Sequence, residues 1–77
     1  MNPIEFELRG EHITLDALLK ATGLAPSGGI AKRMIADGLV QVDGRDELRK
    51  ACKVRAGQVV SLAQARVRVQ AAPAADL

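Results

Sequence analysis

Ser27-Gly28-Gly29-Ile30-Ala31-Lys32-Arg33-Met34-Ile35-Ala36-Asp37-Gly38-Leu39-Val40-Gln41-Val42-Asp43-Gly44 is the stretch whose reading decides the fold. Ser27 is a helix-capping residue type, and Ile30, Ala31, Met34 and Ile35 recur behind it at the spacing of one apolar helical stripe. The stripe has to face a core, which leaves Lys32 and Arg33 pointing outward. Gly38 stops the helix. Leu39-Val40-Gln41-Val42 then alternates as a strand does and runs into Asp43-Gly44, the strongest short hairpin signal in the chain.

Working upstream, Ala25-Pro26 breaks the chain before Ser27. Ahead of it Leu15, Leu18, Leu19 and Thr22 keep helical spacing, with Thr14 as the candidate cap, Asp16 and Lys20 four apart, and Gly23 as the stop. Two helices joined by a turn of about four residues are expected to pack against each other. Further upstream, Ile4-Glu5-Phe6-Glu7-Leu8 alternates strictly, the pattern of a half-buried strand with Ile4, Phe6 and Leu8 inward.

Working downstream, residues 58–62 and 66–70 read as two more antiparallel strands joined by a short turn, with Val67 and Val69 inward and Arg66 and Arg68 outward. Arg45 to Gly57 is weakly periodic and reads as a long, partly extended connection. Ala71-Ala72-Pro73-Ala74-Ala75 has no face to bury. The expected organisation is one α+β domain over residues 1–70, two helices packed on a small antiparallel sheet, with a disordered tail over residues 71–77.

Composition narrows the function. With 77 residues, 48% apolar and 26% charged, the chain suits a small folded domain with little room for both a scaffold and a catalytic cleft, so a binding role is expected over an enzyme. Cys52 is the only cysteine, which excludes an internal disulfide and fits a reducing, cytoplasmic setting. There is neither a secretory leader pattern nor a run long enough to cross a membrane. Net charge is only +2 overall, but residues 1–19 sum to −3 and residues 20–70 to +6. A basic second part suggests a polyanionic partner.

Two constellations are candidates for that partner. Glycine costs about 1 kcal/mol against alanine inside a helix, so Gly28 and Gly29 in a first turn need a reason. One is that they open the backbone N–H groups of the helix terminus to a phosphate, with Lys32 and Arg33 extending the site. The other is that they ease the turn after Pro26 while Arg33 pairs with Asp37. The second constellation is Arg45, Arg49, Lys50, Lys53 and Arg55, either a set of phosphate contacts or a solvated loop partly neutralised by Asp46 and Glu47.

What is missing also discriminates. Phe6 is the only aromatic residue and takes an inward strand position, so base-stacking platforms of the RNA-recognition-motif kind cannot be built from aromatic rings. His12 is the only histidine, and with Glu11 alone beside it no metal site is expected. No local context makes a catalytic triad of Ser27, His12 and Asp16. Cys52 reads as a small buried hydrophobe.

Taken together, Leu15-Asp16 with Leu18-Leu19, Ser27 with Ala31 to Ile35, Gly38 with Val40 to Gly44, and Lys53-Val54 with Gly57 to Val60 resemble the RNA-binding domain named after ribosomal small-subunit protein four, the alpha-L motif, in its stand-alone bacterial form. The likeness spans about residues 13–62, and the segment Glu47 to Val54 adds to it. The resemblance implies binding of structured RNA, ribosomal or transfer RNA or the ribosome itself. Ser27, Lys32 and Arg33 would be helix contacts, and Asp43, Gly44 and Arg45 a hairpin tip near the RNA. Gly28 stands where many members of the family carry arginine. The expected molecule is a monomer without cofactor, metal or membrane association, its RNA-binding residues being Ser27, Gly28, Gly29, Lys32, Arg33, Arg45, Arg49, Lys50, Lys53 and Arg55. The alternative is a ribosome-associated protein-interaction module with no direct RNA contact.

Overall fold

In the computed structural model, residues 3–63 and 65–72 of the chain are described. In chain order the elements are β1 (Ile4–Leu8), β2 (Ile13–Thr14), α1 (Leu15–Ala21), α2 (Gly28–Ala36), β3 (Val40–Val42), β4 (Arg45–Asp46), β5 (Lys53–Val54), β6 (Val59–Leu62) and β7 (Ala65–Ala71). Five strands form one sheet in the order β1-β7-β6-β3-β4, and β2 pairs with β5 in a second, two-stranded sheet.

The architecture is α+β with two helices, and the core is one cluster drawn from both helices and the inward face of the sheet. Val42, Val60, Val67 and Ile4 stand in register as one row across β3, β6, β7 and β1. Leu15, Leu18 and Leu19 of α1 and Ala31 and Ile35 of α2 are fully buried against that layer. Each large aliphatic side chain removed from water contributes about 1.5–3 kcal/mol before the entropy of ordering is set against it. Phe6 is half-buried on the core side of β1, in register with Val69.

The sheet departs from the expected wholly antiparallel one, because β1 runs parallel to β7. Side chains alternate with a period of two in either direction, so the pattern of Ile4 to Leu8 fixes the inward face and is silent on strand direction. The apolar stripe of α2 is also narrower than expected: Ala31 and Ile35 are buried, but Ile30 remains 44% exposed.

Two expected connections are more ordered than their sequences announce. Residues 45–57 were expected as a long extended link, yet they contain β4, a tight turn closed by the Cys52 N–H donating to the Arg49 carbonyl at 3.1 Å, and β5. Ala71, expected to begin the tail, is the last residue of β7 opposite Leu8, and the Ala72 N–H donates to the Leu8 carbonyl at 3.2 Å. The rest of the expected tail, 73–77, lies outside the described residues.

The hairpin forms where expected. Asp43 and Gly44 both take positive φ, 53° and 83°, as a turn matched to the strand twist requires. Asp43 is also a structural residue: its carboxylate accepts from the Val59 N–H at 3.0 Å and from Gln58 Nε2 at 3.2 Å. Gln58 Oε1 in turn accepts from the Arg55 N–H at 2.7 Å, so the hairpin tip and the Arg55 bend are tied together.

Candidate functional site

A groove of about 730 Å³ opens between α2 and the turn that follows β4, lined by Lys32, Ala36, Leu48, Arg49, Lys50, Ala51, Cys52 and Lys53. Its charged lining is wholly cationic: Lys32 from the helix, and Arg49, Lys50 and Lys53 from the turn. The remaining lining, Ala36, Leu48, Ala51 and Cys52, is apolar. The volume is within the range of small-ligand clefts, about 300–1,000 Å³.

The helix side of the groove follows from periodicity. Lys32 and Ala36 are four residues apart and share a face of α2, and Gly28 begins the same row one turn earlier. Ser27 caps the helix as expected, its Oγ accepting from the Ile30 N–H at 3.2 Å. Gly28 and Gly29 have ordinary negative φ. A Cβ built on Gly28 meets nothing within 4 Å, and one on Gly29 meets only the Ser27 hydroxyl at 4.0 Å. Neither glycine is demanded by packing within the chain. First-turn N–H groups have no acceptor within their own helix, so those of Gly28 and Gly29 are free of intrahelical bonds.

The turn side is fixed by α1. The Leu15 N–H donates to the Cys52 carbonyl at 2.9 Å and the Asp16 N–H to the Lys50 carbonyl at 3.2 Å. These are N-terminal donors of α1, which would otherwise lack partners. Thr14 occupies the cap position without a side-chain capping bond, so the turn takes over that role. Pairing of Thr14 with Lys53 and of Ile13 with Val54 continues the attachment. The cations of the turn are therefore carried on backbone docked to a helix terminus.

Arg49 is held individually. Its Nε donates to Glu47 Oε2 at 3.0 Å and its backbone N–H to the same oxygen at 3.1 Å, while 81% of its side chain is exposed. The hydrogen bond from Arg49 holds the Glu47 carboxyl below the ordinary glutamate range, and Glu47 raises Arg49 in turn. Burial pushes the Cys52 thiol up, reinforced by the charge of Glu47, so the thiol stays protonated at neutral pH and its half-buried sulfur belongs to the groove wall.

The structure brings together four of the ten candidate residues, Lys32, Arg49, Lys50 and Lys53, in this groove. Arg45 lines a neighbouring depression of about 500 Å³ with Asp43, Glu47 and Arg49, where the charges are mixed. Ser27, Gly28 and Gly29 lie at the far end of the helix row, outside the groove lining. Arg33 is exposed on α2 but does not line the groove, and among the described residues no ion pair joins it to Asp37. Arg55 is exposed on the bend tied to Gln58 and lines neither cavity.

Sequence reasoning missed the apolar part of the site; the neutralising role expected of Glu47 is seen in its pairing with Arg49. Leu48 is 61% exposed, and its Cδ2 lies 3.9 Å from where a Cβ on Gly38 would stand. A leucine inside an otherwise charged run, from Arg45 to Lys50, was the available signal. Among the described residues no group of three or more histidine, cysteine, aspartate and glutamate side chains could hold a metal ion. Among the described residues no helix is long and apolar enough to cross a membrane.

Comparison with known proteins gives consistent relatives. The family model described as "S4 domain" matches residues 6–70. YbcJ of Escherichia coli (strain K12) is 52% identical over 60 residues, covering 78% of this chain and 86% of that protein. YbcJ of Shigella flexneri matches to the same extent. The solution structure of YbcJ from E. coli, described as revealing an alphaL motif involved in RNA-binding, superposes with a TM-score of 0.72 at 47% identity, covering 92% of this chain and 91% of that one.

Proposed function

Since the chain belongs to the S4 domain family, we propose that it is an RNA-binding protein whose contact surface is the groove between α2 and the turn over residues 48–53. The ligand is structured RNA of the ribosomal or transfer class, free or within the ribosome. The protein acts in the cytoplasm as a monomer, with no cofactor and no catalytic step.

The observation that carries this reading is the convergence of Lys32 with Arg49, Lys50 and Lys53 on one groove whose lining, among the described residues, holds no carboxylate, Glu47 reaching it only through Arg49. Cations set on two separate elements at fixed spacing suit a polymer of regularly spaced phosphates. Each contact adds affinity through counterion release, and rigid placement adds selectivity for shape. Arg45 extends the basic surface on one side, and Arg33 and Arg55 on its periphery add long-range attraction. At the N-terminus of α2, the unbonded N–H groups of Gly28 and Gly29 beside the Ser27 cap would receive a further phosphate on the row that leads to Lys32.

Crosslinking in cells, followed by sequencing of bound RNA, tests the reading, with the Lys50→Ala/Lys53→Ala double variant as control. Recovery of a defined structured RNA that the variant fails to recover is the expected result. No RNA from either chain, together with partner proteins retained after nuclease treatment, would instead identify a protein-interaction module.

A further inference from the structure

We propose that the groove takes a single unstacked nucleotide, so that the RNA it selects is a helix interrupted by a bulge or loop and not an unbroken duplex. This rests on the RNA-binding reading above and adds to it the form of the ligand.

The division of the lining carries the proposal. A surface built for phosphates alone needs no apolar floor, yet Leu48, Ala36, Ala51 and Cys52 lie among the four cations. A nucleotide has the complementary division: an apolar-faced base between two phosphates. Leu48 is 61% exposed, and none of the described residues covers it. A paired base within a duplex cannot reach such a floor, because its faces are stacked and its edges are paired.

The chain has one aromatic residue, and Phe6 is packed against the core. Base stacking must then come from another planar group, and the guanidinium of Arg49 is one. Glu47 Oε2 holds its Nε at 3.0 Å, which restricts the plane of the group, while the side chain remains 81% exposed. Arg49 thus offers a flat face beside Leu48 and keeps its terminal N–H donors for a phosphate. Lys32, Lys50 and Lys53 then receive the phosphates on either side of the extruded nucleotide.

Two RNA hairpins of identical stem sequence, one carrying a single bulged 2-aminopurine and one fully paired, separate the possibilities by anisotropy titration. The bulged hairpin is expected to bind roughly tenfold more tightly, the scale of one stacked base. Arg49→Lys, which keeps charge but loses the plane, and Leu48→Ser are each expected to remove that preference, so that the bulged hairpin binds no more tightly than the paired one. Thermal unfolding checks that both variants fold. Equal binding of the two hairpins by the unaltered protein would overturn the extruded nucleotide and leave RNA binding standing. A preference for the bulge that survives both substitutions would overturn the assignment to this groove. Binding to neither hairpin, nor to any other structured RNA, would remove the underlying function as well.

Discussion

The backbone N–H of Leu15 donates to the carbonyl of Cys52 at 2.9 Å, joining the first residue of α1 to the end of a turn far along the chain. The bond uses only main-chain atoms, so the identity of residue 52 matters little to it. Cys52→Ala is expected to lower stability by about 1 kcal/mol through lost packing while keeping this bond. Urea unfolding measures the loss. Hydrogen exchange should find the Leu15 and Asp16 amides as protected as in the parent chain.

Glu47 carries a pH dependence whose sign follows from its hydrogen bond with Arg49. The folded-state pKa is depressed, so the stabilising contribution is fully present above the ordinary glutamate range and is lost as pH falls through the lowered value. The pair is exposed at the arginine, so its effect on global stability is small. Arg49→Ala is expected to move the Glu47 titration up toward the ordinary range, part of the lowering being kept by the backbone N–H of residue 49, read by carbon-detected NMR of the carboxyl group. No movement of the midpoint would mean that the bridge is not populated in solution.

Salt dependence separates cations that touch phosphate from those that only contribute to the field. Replacing Lys50 and Lys53 together by alanine should flatten the plot of log affinity against log salt by about 2, about 1 for each contact. Arg33→Ala, outside the groove lining, is expected to change the slope by much less. Equal slopes for all three chains would place the phosphate contacts elsewhere.

Gly28 and Gly29 permit a test in which stability and binding move in opposite directions. Both have room for a Cβ and ordinary backbone angles, so alanine at each is expected to stabilise the fold by up to about 1 kcal/mol. If their N–H groups approach phosphate, the same substitutions weaken RNA binding by crowding it. Denaturant midpoints and anisotropy on the double variant measure the two effects. A more stable variant with undiminished affinity would leave the helix terminus outside the interface.

The legibility of this fold tracks the range of the interactions. Helices over Leu15–Ala21 and Gly28–Ala36, the Ser27 cap and the Asp43-Gly44 hairpin were all readable, because each depends on residues within a turn or two of one another. The partner and direction of β1 were not, since Ile4 to Leu8 alternates identically in parallel and antiparallel pairs. Nor were β2 and β5, two residues each and held largely by main-chain atoms. The same boundary runs through the candidate site. Lys32 and the Arg49, Lys50 and Lys53 run stood out by charge, but their shared groove depends on the docking of the turn to α1, which leaves no periodic trace. Leu48 was overlooked because an isolated apolar residue in a loop has no face until the neighbouring helix supplies one.

The parallel pairing of β1 with β7 bears on how the protein is made. Ile4 and Phe6 are synthesised well before Val67 and Val69, the residues with which they stand in register. Domain closure must therefore wait for the final strand to clear the ribosome, since pairing between distant segments cannot precede the second of them. Nascent chains stalled before Ala65 are expected to be cut readily by protease, and chains carried past Ala71 to resist it. Until then the polymerised part holds an unmatched apolar strand, and the interval between its exit and that of β7 is the period in which this chain is most exposed to aggregation and to chaperones.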